Sequence, residues 1–280
     1  LEAGLREIQV SSFVSPSRVP QLADADELLA SLPRHSGATY LVLTLNAKGV
    51  ERALKSPADR IEVSLSLSDA HSRRNTGMTR EQALAEAQEM IAMCRRAQRP
   101  VRLSLQCAFG CAIEGQVPER LVREAASRLV RDPVDEVVLA DTSGMADPCS
   151  VEERVAVLRE VVPWAALTLH LHDTRGLGLA NVLRALQLGV SRFDTAVGGM
   201  GGCPFHPGAA GNIPTEDTAN LCHRLAAETG LDLRKLTRVT GELEELYGRA
   251  FPAKIRPATL TSDGGACTGS EAQHETGYDE

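Results

Sequence analysis

Glu136-Val137-Val138-Leu139-Ala140 reads as a buried strand, Asp147-Pro148 opens a helix with Val151, Val155, Leu158 and Val162 on one side, and Leu167-Thr168-Leu169-His170-Leu171-His172-Asp173 reads as a second strand. Asp before Pro at the first helical position is a strong helix start, since the carboxylate accepts a free N–H and Pro needs none. Two strands joined through a helix by short connections make a parallel βαβ unit. Outward from this unit the pattern recurs. Further strands are expected at residues 6–13, 39–45, 61–67, 101–109 and 192–197. Helices are expected at 24–32, up to about 54, from the capping box Thr79-x-x-Gln82 through Leu84, Ala87, Ile91 and Cys94, at 119–130, around Leu179, Val182 and Leu186, and at 215–229 and 233–248. The run Ser68 to Asn75 reads as a polar turn. Seven strands alternating with helices point to an α/β fold, a TIM (β/α)8 barrel, with its first strand expected upstream of Leu1 because Glu2-Ala3-Gly4-Leu5 reads as the end of a helix. No strand-linked Gly-x-Gly-x-x-Gly supports an open dinucleotide-binding sheet. Residues 1–250 are expected to form the barrel domain and 251–280 a disordered acidic tail.

Composition narrows the function classes. The 280 residues are 43% hydrophobic and 24% charged, enough for one large core. No run nears the roughly 20 apolar residues of a membrane span, so no membrane role is expected. Of the net charge of −7, residues 261–280 carry five acidic groups and no Lys or Arg. The body is therefore nearly neutral, and nucleic acid is not an expected partner. Seven cysteines, an odd number without Cys-x-x-Cys spacing, fit a reducing compartment, and with no targeting segment visible the expected location is cytoplasmic.

The chemistry is expected at the C-terminal ends of the strands, where barrels of this type carry their working groups. Residues i and i+2 of a strand share a face, so His170 and His172 form a pair suited to one divalent metal ion. The competing reading is two core histidines bonded to neighbours. Polar residues fall at the other strand ends too: Gln9, Asn46 and Lys48, then Asp69, His71 and Asn75, then Cys107 and Cys111, then Asp141. Residues 198–212 form a loop with six glycines that holds Cys203 and Asn212. Cys94 and Cys222, on helical patterns, read as core, whereas Cys203 on its loop is a candidate reactive group. Lys48, Arg73 and Arg74 are candidates for an anionic ligand, against the ordinary reading of solvated surface cations.

Six signatures in order resemble the 3-hydroxy-3-methylglutaryl-CoA lyase family: Ser12-Phe13-Val14-Ser15-Pro16, Val19-Pro20-Gln21, Leu43-Thr44-x-Asn46-x-Lys48-Gly49, Gly110-Cys111-x-x-Glu114-Gly115, His170-Leu171-His172-Asp173-Thr174, and Gly201-Gly202-Cys203-Pro204 with Gly211-Asn212. The resemblance runs from about residue 4 to residue 247. It implies a TIM barrel that uses Mg2+ or Mn2+ to cleave a branched 3-hydroxyacyl-CoA to acetyl-CoA and a keto acid such as acetoacetate, the chemistry of leucine degradation. It implies His170, His172 and Asn212 as metal ligands, joined by an Asp that follows an Arg on the first strand, which this chain is expected to lack. Cys203 is implied as the proton donor to the enolate, while Asp141 and His170 are the candidates for the base that takes the hydroxyl proton. Lys48, Asn46 and Arg73 are the candidates for holding the acyl-CoA, and a homodimer is compatible with the resemblance. Three departures stand out: Gln9 and Asp69 where the family carries Glu, and Arg73-Arg74 where it carries Lys. They leave a citramalyl-CoA type of lyase open. Asp-Thr after the second histidine, in place of Asn-Asp, ranks a condensing acyltransferase of the isopropylmalate synthase type lower. An inactive metal-binding barrel is the third alternative.

Overall fold

The computed structural model describes residues 1–33, 37–130, 134–201 and 211–256. Its strands are β1 (Glu7–Ser12), β2 (Thr39–Thr44), β3 (Arg60–Ser66), β4 (Val101–Gln106), β5 (Glu136–Ala140), β6 (Ala166–His170) and β7 (Arg192–Asp194). They lie in one sheet in chain order, every neighbouring pair parallel. Strictly sequential order belongs to a TIM-like barrel, whereas a doubly wound sheet reverses its order at a switch point. Among the described residues β7 and β1 are not paired, so the sheet is a seven-stranded half-barrel. The helices are α1 (Ala25–Ser31), α2 (Ala47–Lys55), α3 (Asp69–Thr76), α4 (Arg80–Arg96), α5 (Glu119–Leu129), α6 (Pro148–Val161), α7 (Gly178–Gln187), α8 (Thr215–Arg224) and α9 (Leu233–Tyr247).

Strand alternation divides the barrel chemically. Ile61, Val63, Val101, Leu103, Leu105, Val137, Leu139 and Leu169 point outward and are sealed under the helices. Each such aliphatic side chain contributes about 1.5–3 kcal/mol on burial. The helix stripes expected from sequence meet them: Leu84, Ala87, Ile91 and Cys94 on α4, and Val151, Val155 and Leu158 on α6, are all buried. Both capping boxes form, Thr79 with Gln82 and Asp147 with Ser150.

The inner face is polar. Cross-strand register aligns Glu62, Arg102 and Glu136, then Ser64 and Ser104, then His170 with Asp194. Arg60 bonds Glu136 at 2.6 Å and Glu7 at 2.8 Å, Arg192 reaches the same two carboxylates, and Arg102 meets Glu62 at 3.1 Å and also Asp194. Arg192 and Glu7 thereby tie the two edge strands β7 and β1 together by side chains. Buried charges of this kind are tolerable only when paired, since removing one partner strands the other in a dry interior.

Several sequence expectations change: β4, β7 and α8 end earlier than expected, at Gln106, Asp194 and Arg224. The run from Ser68 to Asn75 is not a turn but helix α3: Ser68 Oγ accepts the His71 N–H at 3.0 Å and Gly77, with φ +83°, ends the helix. It buries only His71 and Ser72, so it carries no apolar stripe to betray it. Strand β6 ends at His170, and His172 lies beyond it, in an isolated antiparallel bridge to Asn212. Residues 251–256, assigned to the tail from sequence, are packed: Phe251 and Ala253 are buried, Ala253 N–H bonds Gly198 O, and Asp217 accepts the N–H groups of Lys254 and Ile255. The rest of the expected tail, 257–280, lies outside the described residues.

Candidate active site

The two histidines meet at the C-terminal end of the sheet. Their Nε2 atoms stand 3.2 Å apart with the rings tilted by 57°. Ligand atoms bound about 2.1 Å from one ion stand roughly 2.9–3.4 Å apart for right-angled to tetrahedral arrangements, so this spacing suits a shared metal. Different devices hold the two rings. His170 Nδ1 faces Asp194 Oδ2 at 3.2 Å across the β6–β7 pair, whereas His172 is held by its bridge to Asn212. Burial, and then His170 beside it, push the His172 pKa down to about 4, so this imidazole is neutral at pH 7. For His170 burial works in the same direction, but the hydrogen bond and charge of Asp194 outweigh it and raise the pKa.

Asn212 supplies a third donor. Its Nδ2 donates to Met200 O at 3.0 Å, and its Oδ1 is buried without a partner among the described residues. A buried amide oxygen left bare is costly unless something occupies it, and a hard cation is one such occupant. The glycine loop closes tightly at this point: a Cβ on Gly201, where φ is +103°, would lie 2.6 Å from Asn212 Nδ2. Among the described residues no group of three His, Cys, Asp or Glu side chains gathers as a metal site, so the donors here are two imidazoles and one amide.

Asp141 sits fully buried at the end of β5, next to the histidine strand, its N–H on His170 O at 2.8 Å. Oδ1 accepts the N–H groups of Met145 at 2.6 Å and Ala146 at 3.1 Å, while Oδ2 has no partner among the described residues. Burial raises its pKa to about 6 despite those hydrogen bonds. Cys107 and Cys111, at the end of β4, are both buried. Cys107 and the Ser68 hydroxyl, 3.0 Å away, stabilise the Cys111 thiolate and bring its pKa down to about 5, whereas the Cys107 thiol is pushed up.

The remaining candidates sit on the same rim. Asn46 caps α2, its Oδ1 accepting the Gly49 N–H at 2.9 Å, and Lys48 is exposed on the first turn of that helix. Arg73 is exposed on α3 and paired with Asp69 at 2.6 Å. Gln9 is exposed on β1 next to a register shift. Cys203 lies outside the described residues. Asp194 was not among the residues expected from sequence: in Arg192-Phe193-Asp194 the two charges at i and i+2 of a strand share one face, and only the pairing with β6 makes that face the inner one.

The HMGL-like family model matches residues 2–242. The mitochondrial hydroxymethylglutaryl-CoA lyase of Rattus norvegicus is 37% identical over 258 residues, 92% of this chain and 79% of that one. The cytoplasmic 3-hydroxy-3-methylglutaryl-CoA lyase of Mus musculus is 38% identical over 261 residues, covering 93% and 76%. Among solved structures, an HMG-CoA lyase from Acinetobacter baumannii in complex with coenzyme A and 3-methylmalate is 38% identical with a TM-score of 0.88, covering 94% of this chain and 86% of that one.

Proposed function

The chain belongs to the HMGL-like family, and from that premise we propose that it is a carbon–carbon lyase that cleaves 3-hydroxy-3-methylglutaryl-CoA to acetyl-CoA and acetoacetate. The observation that carries the reading is the pair of Nε2 atoms 3.2 Å apart beside the bare, buried Oδ1 of Asn212, in a chain whose relatives are lyases. His170 Nε2, His172 Nε2 and Asn212 Oδ1 are the atoms proposed to hold Mg2+ or Mn2+. When bound, such an ion acts as a Lewis acid that makes the substrate hydroxyl easier to deprotonate.

The cleavage is a retro-aldol reaction. The C3 hydroxyl loses its proton, its oxygen becomes the ketone of acetoacetate, and the C2–C3 bond breaks with its electron pair passing into the thioester enolate. A proton delivered to C2 then gives acetyl-CoA. Asp141 is proposed as the group that takes the hydroxyl proton. Its position beside β6, its bare Oδ2 and its pKa of about 6 support this, since a base near the working pH both accepts and returns a proton well. His170 is less suited, with Nδ1 committed to Asp194 and Nε2 facing His172. Cys203 is proposed as the donor to C2, supported by its place in sequence between Gly201, which lies against the Asn212 side chain, and Gly211, which lies against the carbonyls of Gly199 and Gly201. Lys48 and Arg73 are proposed to meet the phosphates of CoA from the rim, with Asn46 fixing the first turn that carries Lys48.

The test is acetyl-CoA release by the full-length protein from 3-hydroxy-3-methylglutaryl-CoA and from citramalyl-CoA, with Mg2+, with Mn2+ and with chelator. Cleavage of the first that chelator abolishes supports the reading; a folded protein inert on it overturns it. Cys203→Ala should lower turnover without changing Mn2+ affinity, and His172→Ala should lose both.

A further inference from the structure

We infer that Asp194 is the positioning residue that sets the tautomer of His170, and that Arg102 on the floor of the barrel holds it in that role. This deepens the metal-site reading above and rests on it. The main chain determines the juxtaposition: His170 and Asp194 are direct cross-strand partners in the β6–β7 register, so their side chains leave the sheet together on the inner face. Asp194 Oδ2 lies 3.2 Å from His170 Nδ1, and the same oxygen receives the guanidinium of Arg102. An ionised carboxylate only accepts, so the proton of the neutral ring must sit on Nδ1, leaving the Nε2 lone pair free towards His172. Arg102 is in turn shared with Glu62, 3.1 Å from Nε. A chain of charges thus runs from the buried floor to the ring, built on four strands with no loop in it.

The competing role for Asp194 is simply to neutralise Arg102. Asp194→Asn separates the two. Guanidinium groups only donate, so Arg102 claims the amide oxygen of the variant and turns its NH2 towards His170. That NH2 donates to Nδ1 and moves the ring proton to Nε2, the nitrogen needed for metal. A neutralising role predicts lost stability alone.

Two readouts decide. In metal-free protein labelled with 15N in its histidines, with pH raised until the His170 ring signals stop moving, His170 should show a protonated Nδ1 and a bare Nε2, with the signals assigned through His170→Gln. A proton on Nε2 of the parent protein overturns the inference whether or not any variant folds. Second, Mn2+ binding followed by titration should weaken about 10- to 100-fold in Asp194→Asn, with kcat falling more than KM changes, and Asp194→Glu should recover part of both. Unchanged Mn2+ affinity in a folded Asp194→Asn protein also overturns it. If the parent protein itself binds no Mn2+, the metal reading falls instead, and the tautomer measurement still judges Asp194.

Discussion

Replacing Arg102 by Met removes a guanidinium whose side chain is 5% exposed and which faces Glu62, Glu136 and Asp194 inside the barrel. Breaking a buried ion pair from one side costs about 3–5 kcal/mol, because the partner is left charged in a dry interior. Here the lower end applies. Glu136 keeps Arg60 at 2.6 Å, and Asp194 keeps His170 at 3.2 Å, so Glu62 is the group most exposed to the loss. About 3 kcal/mol in a domain of this size corresponds to a fall in Tm of roughly 6–12 °C. The loss should depend on pH. Burial already raises the Glu62 pKa against the pull of Arg102; for Asp194 burial also pulls upward, but His170 and Arg102 bring the net value down. Without Arg102 both carboxyls move up. A carboxyl whose folded pKa lies above its unfolded value contributes stability that is present below the unfolded pKa and lost as pH rises through the folded one. The difference in Tm between parent and variant should therefore be largest at pH 8 and shrink towards pH 5, as measured by scanning calorimetry at both. A difference under about 2 °C, or one that grows on acidification, would refute the view that Arg102 neutralises buried carboxylates.

Two further outcomes follow from local structure. Asp147→Ala removes a cap that accepts two N–H groups at the start of α6, far from the histidines in function if not in sequence; it should cost about 1 kcal/mol, or roughly 2–4 °C in Tm, and leave kcat unchanged. Gly201→Ala places a methyl 2.6 Å from Asn212 Nδ2 at a φ of +103°, a strain of about 1–3 kcal/mol. If 1.4 kcal/mol of that is relieved by moving Asn212, Mn2+ binding should weaken about tenfold, and an unchanged affinity would separate Asn212 from the metal site.

The fold was legible because outward-facing residues such as Val63, Leu65 and Leu103 alternate with small or polar ones, and because Thr79 and Asp147 announce their helices. Strand ends were less legible. The apolar run after Gln106 continues to Phe109, but Cys107 adopts φ +56°, a left-handed conformation that ends β4 while the side chains remain buried. Helix α3 was hidden because its evidence is hydrogen bonds at its two ends rather than a stripe. The histidine pair was a candidate from residue type and spacing, and Asn212 joined it only through the family resemblance, whereas Asp194 followed from neither. Its role depends on which residue β7 sets beside His170, and register is a property of the paired sheet rather than of either strand alone. Arg102 and Glu62 pose the same difficulty, since in sequence a lone charge inside a strand looks like a solvent-facing residue. Phe251 and Ala253 were read as tail because a short packed segment leaves no periodic pattern.

His170, His172 and Asn212 are proposed to hold one divalent ion. Anomalous diffraction from crystals grown with Mn2+ tests it directly. A single peak about 2.1–2.3 Å from the Nε2 atoms of both histidines and from Asn212 Oδ1 is the predicted result. Saturating Mn2+ with no peak between the two rings would contradict it.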